Sequence, residues 1–148
     1  MVRQLKTITA TKAKKKAWDA FSKYIRLRDA IKTTHTKTHL LCITCGRRYK
    51  AFGKGCAQAG HFISGRNNSI LLDEKFVNGQ CPICNKWMRG NYVRYEIEMI
   101  KMWGKKAVDE VKARSLLTVQ VKAYEWLDKE QEYKEKYDKL KSNTMINA

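Results

Sequence analysis

Four of the five cysteines share the spacing Cys-x-x-Cys and form two pairs, Cys42 with Cys45 and Cys81 with Cys84. A gap of two residues lets both thiolates of a pair reach one metal ion, and four sulfur donors favour a closed, tetrahedral zinc site. Two disulfides or inert thiols are the alternatives, but nothing else in the sequence is typical of a secreted protein. The spacing therefore predicts a structural Zn²⁺. Cys56 stands outside the two pairs and has no assigned role.

A histidine and an asparagine complete this frame: His61 lies between the two pairs, and Asn85 directly follows Cys84. Hydrolysis of a phosphodiester needs a base that activates water and a cation that neutralises charge on the phosphoryl oxygens. A histidine titrates near neutral pH, and an asparagine carbonyl oxygen suits Mg²⁺ or Mn²⁺. Although a histidine between strands is more often structural, this frame predicts His61 as a general base and Asn85 as a ligand of a catalytic ion.

The charge of the chain indicates a polyanionic partner. The 148 residues include 31 lysines and arginines against 14 acidic residues, a net charge of +17. The first 50 residues alone carry 14 basic and two acidic side chains, or +12. Such an excess binds phosphates through counterion release. Because the sequence shows neither an apolar run of about 18 residues nor a signal peptide, we expect an intracellular protein that binds nucleic acid and no membrane.

Seven basic residues are the predicted DNA contacts. They lie in the lysine run, on the first predicted helix, after the first cysteine pair and in the loop after His61: Lys14, Lys15, Lys16, Arg26, Arg47, Arg48 and Arg66. A solvated helix face is the alternative for the lysine run. The aromatic stripe on that helix, which includes Trp18, is more typical of a core than of a platform for bases.

The predicted fold class is α+β and mostly helical, with four segments. These are a basic N-terminal arm and helix (1–37), a zinc-braced treble clef (38–90), C-terminal helices (91–141) and a flexible tail (142–148). Apolar residues at steps of three and four predict helices from about Thr9 to Ile31, over Tyr92–Trp103, over Lys105–Leu117 and over Thr118–Lys141.

Within the treble clef, Thr38–Leu41 is a predicted short strand before the first cysteine pair. Ala57–Ile63 is the predicted strand that carries His61, and Ile70–Leu72 is the predicted return strand. A short helix is predicted from Pro82 to about Gly90, since proline suits the first helical turn.

The joint pattern resembles a known family. Its motifs are Gln58-Ala59-Gly60-His61-Phe62, Gly79-Gln80-Cys81-x-x-Cys84-Asn85, and Gly90-Asn91 with Tyr95. Together they resemble the NinG (Rap) recombination proteins of lambdoid phages, over about Tyr24 to Val111. The order of His61, Cys84 and Asn85 also resembles HNH (ββα-metal) nucleases and phage Holliday-junction resolvases of the endonuclease VII type.

The resemblance implies a metal-dependent, structure-selective DNA endonuclease that cuts branched recombination intermediates such as Holliday junctions and displacement loops. It also implies that the protein is located in the cytoplasm of a bacterial host cell, if it is phage-encoded. Because a resolvase makes two symmetric cuts, a homodimer is a further expectation. The alternative is a zinc-containing DNA-binding recombination accessory protein without catalysis.

Two departures from the HNH pattern leave positions open. Many HNH enzymes have an acid or histidine before the base, where this chain has Gly60. The second ligand of a catalytic ion must then come from elsewhere, and the candidates are Asp73, Glu74, Asn91 and Glu96. The HNH pattern has an asparagine in its middle position, and Asn78 is the available residue, as a third catalytic residue. An alignment on Gly79-Gln80-Cys81 places Phe76 at that position instead.

Overall fold

The structure is a computed structural model, and it describes residues 7–143. Within these residues lie four α-helices, two antiparallel two-stranded sheets and one π-helical turn. The order is α1 (Ala10–Thr34), β1 (His39–Leu41), β2 (Arg48–Lys50), β3 (Gln58–His61), β4 (Val77–Gln80), the π-helical turn (Ile83–Trp87), α2 (Tyr92–Trp103), α3 (Lys105–Ser115) and α4 (Ala123–Lys141). The predicted α+β, mostly helical class is confirmed.

Helix α1 begins and ends with local signals that the sequence carries. The Thr9 hydroxyl caps the first turn by accepting a hydrogen bond from the Lys12 N–H group at 3.3 Å. The last helical residue is Thr34, and the C-cap residue His35 adopts a left-handed conformation (φ 57°). Its buried face packs along α4 and includes Phe21 and Ile25. The predicted helix is therefore confirmed, and it runs one turn beyond its predicted end.

The strand that pairs with β3 is not the predicted one. Residues 70–72 lie in turns, and the return strand is β4, with His61 opposite Val77 and Gln58 opposite Gln80. The prediction of Ile70–Leu72 as a strand was wrong because burial, rather than pairing, explains its apolar residues: Ile70 and Leu71 are both core residues. Asp73 then starts a turn by accepting hydrogen bonds from the Lys75 and Phe76 N–H groups.

The β3–β4 hairpin lies between two helical layers. Ala59 and Val77 pack against Phe21 and Ile25 on the α1 side, where Tyr133 of α4 joins them. The α2–α3 side has a second core, formed by Phe62, Ile70, Phe76, Tyr95, Met99, Val108 and Val111. Cross-strand partners share a face of a sheet. His61, opposite Val77, therefore faces α1.

The C-terminal helices are largely as predicted, but α4 begins later. The residues from Thr118 to Val121 are not helical, and α4 starts at Ala123, where the Glu125 carboxylate accepts a hydrogen bond from the Lys122 N–H group. The predicted short helix after Pro82 is a π-helical turn. In the predicted tail, the Asn143 carbonyl accepts a hydrogen bond from Lys37. The rest of that tail (144–148) and the start of the N-terminal arm (1–6) lie outside the described residues.

None of the helices in the described part of the chain is long and apolar enough to cross a membrane.

Candidate metal centre and histidine cavity

The four paired cysteines come together at one point. All four sulfur atoms lie within 4.8 Å of one another, and the Cys45 and Cys81 sulfurs are 3.8 Å apart. Zinc–sulfur bonds of about 2.3 Å in a tetrahedron separate the sulfurs by about 3.8 Å. Within residues 7–143, no cysteine forms a disulfide. The cluster could therefore hold a metal ion such as zinc.

Hydrogen bonds from the backbone stabilise the thiolate form of Cys42. The Cys81 N–H group donates to the Cys42 sulfur at 3.2 Å, and the Cys84 N–H group donates to the Cys81 sulfur at 3.4 Å. Burial raises the pKa of the Cys42 thiol, but hydrogen bonds from backbone N–H groups and the Thr44 hydroxyl outweigh it and lower the pKa to about 7. Burial raises the pKa of the Cys45 thiol to about 12 and also raises that of Cys81. A metal ion needs deprotonated sulfur ligands, so binding of a metal would release protons from these thiols.

His61, at the end of β3, is held in one orientation. Its Nε2 atom lies 3.0 Å from the Leu71 carbonyl oxygen, and its ring stacks on Trp18 with centroids 4.8 Å apart. A carbonyl can only accept, so Nε2 carries the proton and Nδ1 carries the lone pair of the neutral ring. Among the described residues, Nδ1 has no hydrogen-bond partner. His61 is thus oriented as a base with one free acceptor nitrogen.

The surroundings also favour the neutral form of this imidazole. Burial lowers the pKa of His61 from the ordinary value of 6.5, and the charge of Arg66 lowers it further. The Leu71 carbonyl and Asp73 act in the opposite direction but do not outweigh these effects. A neutral imidazole at pH 7 can accept a proton.

His61 and Asn85 line the same cavity. It has a volume of about 530 Å³, and the lining side chains that bear on chemistry are Arg26, Cys56, Gln58, His61, Arg66, Asn85 and Tyr92. The Asn85 amide nitrogen donates to Gln58 Oε1 at 2.6 Å. The side-chain oxygen of Asn85 (Oδ1) has no hydrogen-bond partner within residues 7–143. It therefore remains available to a cation or a donor in the cavity.

Two arginines give this cavity a positive wall. Arg26 donates to the Ala51 carbonyl and contacts the Cys56 sulfur at 3.6 Å, while the Arg66 guanidinium lies over the Trp18 ring at 4.9 Å. Lys14 donates to the Arg66 carbonyl, which brings a third cation to the rim. Burial and the charge of Arg66 lower the pKa of Lys14. The cavity therefore suits an anionic group.

The four candidates for a second ion ligand are used elsewhere. One Asp73 oxygen accepts the hydrogen bonds of its turn, and the other pairs with Arg114. Glu74 pairs with Lys136, and Glu96 pairs with Lys112. Asn91 donates to the Cys84 sulfur at 3.6 Å, which places it beside the cysteine cluster. The structure brings none of them into the cavity of His61 and Asn85.

Asn78 lies on the opposite face of the hairpin from His61. It is 3% exposed, and its amide donates to the Lys75 carbonyl and the Tyr95 hydroxyl. Arg28 donates to its carbonyl oxygen. The side chain therefore joins β4 to α1 and α2 and does not reach the cavity. Phe76, the other residue considered for this position, packs in the core against Phe62.

The glycine before His61 has a steric explanation. A Cβ atom at Gly60 would lie 2.2 Å from Gln80 Oε1 and 2.9 Å from Gln80 Cβ. Gln80 is fully buried, and its amide donates to the Gly90 carbonyl and the Thr44 hydroxyl. An acid or a histidine at position 60 would therefore displace a buried, hydrogen-bonded side chain.

The seven predicted DNA contacts are divided by the fold. Arg26 and Arg66 line the histidine cavity, and Lys14 reaches its rim. Lys15 pairs with Asp19 on the exposed surface of α1, and Lys16 lines a groove between α1 and α4. Arg47 lies beside the cysteine cluster, and Arg48 is exposed on β2.

Three contributors to the cavity were not among the predicted site residues. Trp18 was interpreted as part of a core stripe, but its ring stacks on His61. Its helical spacing is the same for a tryptophan in the core and for one that stacks on a histidine. Gln58 orients Asn85, and its place in the motif with His61 was the available signal. Tyr92 lines the cavity from the start of α2.

The fold and site define a small, basic α+β protein with a four-cysteine centre beside a histidine cavity. The family described as Bacteriophage Lambda NinG protein matches residues 2–143. The chain belongs to this family, which confirms the resemblance to NinG proteins.

Individual relatives agree with this assignment. Protein ninG of Escherichia phage 933W is 33% identical over 100 residues, which cover 67% of this chain and 44% of that protein. Protein ninG of Escherichia phage lambda is 32% identical over 100 residues, with 67% of this chain and 43% of that protein covered. The match thus spans less than half the length of these relatives. No solved structure matches this chain.

Proposed function

We propose that this protein is a metal-dependent, structure-selective DNA endonuclease that hydrolyses phosphodiesters in branched recombination intermediates. The observation that carries the proposal is the cavity shared by His61 and Asn85, with Arg26 and Arg66 in its wall. A bare imidazole nitrogen, a free carbonyl oxygen and two guanidinium groups provide a base, a cation ligand and anion donors in one place.

In the proposed mechanism, His61 removes a proton from the attacking water. The Leu71 carbonyl holds the Nε2 proton and Trp18 fixes the ring plane, so Nδ1 is the atom that accepts. Arg26 and Arg66 position the phosphate and stabilise the charge that builds on its oxygens. A positioned general base contributes about 10²- to 10⁴-fold in rate.

In this proposal a divalent cation would bind Asn85 together with the substrate phosphate, because the cavity lining contains two arginines and no carboxylate that could hold the ion alone. The Asn85 side-chain oxygen has no hydrogen-bond partner within the described residues, and hard cations prefer oxygen ligands. Mg²⁺ keeps several waters and often binds through one or two protein groups and substrate phosphates. When bound, Mg²⁺ or Mn²⁺ would neutralise charge on the phosphate and the leaving oxygen. Gln58 orients Asn85 for this role.

In this proposal the cysteine cluster holds a structural Zn²⁺, and the segment forms an HNH-like treble clef. Support comes from the order of elements: a knuckle at Cys42 and Cys45, the β3–β4 hairpin, then a helical turn that carries Cys84 and Asn85. Because Asn85 directly follows a cysteine of the cluster, the metal that fixes Cys84 also fixes Asn85.

Branched DNA is the proposed substrate because of the charge and the family. A net charge of +17 favours a polyanion without selecting a base sequence. NinG-type proteins are phage recombination proteins, and the resemblance to endonuclease VII-type resolvases points to junctions. Two symmetric cuts would require two copies, so the proposal includes a homodimer that acts in the cytoplasm of a bacterial host.

Cleavage of three matched DNA substrates tests the proposal. A four-way junction, a displacement loop and a linear duplex of the same length are incubated with the protein in EDTA, Mg²⁺ or Mn²⁺. We expect cuts near the branch points in the presence of the cations, little cutting of the linear duplex and none in EDTA. Absence of metal-dependent cleavage on both branched substrates would contradict the proposal.

A non-catalytic DNA-binding accessory protein is the second candidate function. It is favoured by one observation: apart from Asn85, none of the proposed ion ligands lines the cavity, and Gly60 leaves no room for another. On this reading the cavity only holds a phosphate. The protein would then bind branched DNA equally well with and without divalent cations and would not cut it.

A further inference from the structure

An exposed apolar patch on the π-helical turn, beside the cysteine cluster, has no role in the proposed mechanism. Trp87 is 84% exposed, and Met88 and Ile83 on the same turn are 52% and 44% exposed. Single exposed apolar residues are common, but three on one turn form a patch, and such patches mark interaction sites. Trp87 presents both faces of a large ring to a partner.

Backbone hydrogen bonds and the cysteine cluster hold the turn that carries Trp87. The Met88 N–H group donates to the Ile83 carbonyl, and the Gly90 N–H group donates to the Cys84 carbonyl, both at 2.9 Å. Cys84 itself is buried in the cysteine cluster. Ile83 and Met88 line a groove with Cys45 and Arg94. The patch therefore borders the cysteine cluster, and the turn that carries it is held by Cys84.

The charges around Trp87 indicate what it binds. Lys86 and Arg89 flank this turn, both are exposed, and Arg94 follows on the first turns of α2. An apolar patch among cations repels a basic surface, including a second copy of this +17 chain, and attracts a polyanion. Nucleobases combine an apolar face with a phosphate backbone, and aromatic side chains stack on them without regard to sequence.

We propose that Trp87 stacks on a base face that is exposed at a DNA branch point and so holds the branch against this side of the protein. This inference rests on the proposed DNA substrate. In a continuous duplex both faces of each base are covered by neighbours, whereas a branch point exposes a face at low cost. Trp87 would then contribute selectivity for branched DNA, while the arginines in the cavity contribute affinity for any phosphate.

Equilibrium binding of branched and linear DNA tests this role without requiring cleavage. The wild type, Trp87→Ala and Trp87→Phe are titrated, in EDTA, against a four-way junction with 2-aminopurine at the branch and against a linear duplex. Tyr124→Ala is the matched control, because Tyr124 is 61% exposed on α4. Bound zinc and circular dichroism show that each variant is folded.

We expect Trp87→Ala to weaken binding of the junction by about 5- to 150-fold, the range for loss of one aromatic–base stack, and to leave linear duplex binding unchanged. The change in 2-aminopurine fluorescence on binding should be lost with Trp87→Ala and retained with Trp87→Phe and Tyr124→Ala. Selective loss of junction binding in Trp87→Ala would support this inference even if the wild type did not cut DNA. The absence of cleavage would contradict only the nuclease proposal.

Two results would overturn the inference. The first is an equal effect of Trp87→Ala on junction and duplex, which would make Trp87 a general DNA contact. The second is unchanged junction binding together with loss of wild-type self-association in sedimentation, which would make the patch a contact between copies of the chain.

Discussion

Asp29 is predicted to be the main polar link between α1 and the hairpin that carries His61. One carboxylate oxygen accepts a hydrogen bond from the Gly79 N–H group at 2.6 Å, and the other accepts from Arg28 Nε at 2.8 Å. The Asp29 side chain is 7% exposed and the Arg28 side chain 20%. Arg28 in turn donates to the Val77 carbonyl and to Asn78, so the pair spans both strand β4 and helix α1.

Truncation of Asp29 would leave two groups without a partner. In Asp29→Ala the Gly79 N–H group loses its acceptor in a buried position, and the Arg28 guanidinium loses its counter-charge. Removal of one member of a buried ion pair costs about 3–5 kcal/mol. Small domains are stable by only about 5–15 kcal/mol, so we expect a large fraction of the unfolding free energy to be lost.

Urea unfolding followed by circular dichroism, with zinc saturating in every sample, measures this loss. Asp19→Ala is the matched control: Asp19 is also on α1, but its pair with Lys15 is exposed on both sides (75% and 58%). Exposed pairs contribute about 0–1 kcal/mol. If Asp29→Ala cost no more than Asp19→Ala, the assignment of Asp29 as the link between α1 and β4 would be refuted.

Three further predictions concern the metal, the charge and the base. Cys84→Ser should lose bound zinc and the folded state together, by elemental analysis and circular dichroism, because metal binding and folding are coupled; a folded, zinc-free variant would contradict this. Charge reversal at Lys14, Lys15 and Lys16 should flatten the dependence of DNA affinity on salt concentration, and an unchanged slope would place the contacts at residues such as Arg47, Arg48 and Arg66. Burial and then the charge of Arg66 lower the pKa of His61, so its NMR titration without DNA should have a midpoint below 6.5 that moves upward in Arg66→Gln. The neutral base is thus present at pH 7 and is lost only as the pH falls through the lowered pKa; a midpoint at or above 6.5 would contradict the prediction.

The helices and the cysteine cluster could be predicted because their signals are local. Apolar residues at steps of three and four located α1, α2 and α3, and a spacing of two residues brought each cysteine pair to one point. The position of His61 at the end of a strand beside Asn85 also followed from the order of the motifs.

The return strand could not be predicted because its residues are buried by tertiary contacts rather than by their own hydrophobicity. β4 contains Asn78, Gly79 and Gln80, which are polar or small, yet all are buried by α1, α2 and the first cysteine segment. Ile70 and Leu71 have the stronger apolar signal but lie in turns. Short segments of this kind are decided by the packing around them.

The candidates for a second ion ligand lie outside the histidine cavity for a related reason. Asp73 and Asn91 are residues of the correct chemical type, but local turn geometry and neighbouring charges occupy them: Asp73 in its own turn and with Arg114, Asn91 at the cysteine cluster. Residue type and sequence position do not reveal such competing partners. The role of Trp18 was hidden in the same way within a helical stripe that is mostly core.

Single-turnover cleavage of a four-way junction by His61→Ala tests the central claim most directly, with His39→Ala as the matched histidine control on β1. We expect a rate lower by about 10²- to 10⁴-fold for His61→Ala, with zinc content, folding and junction binding retained, and an unchanged rate for His39→Ala. A rate for His61→Ala equal to that of the wild type would contradict the assignment of His61 as the general base.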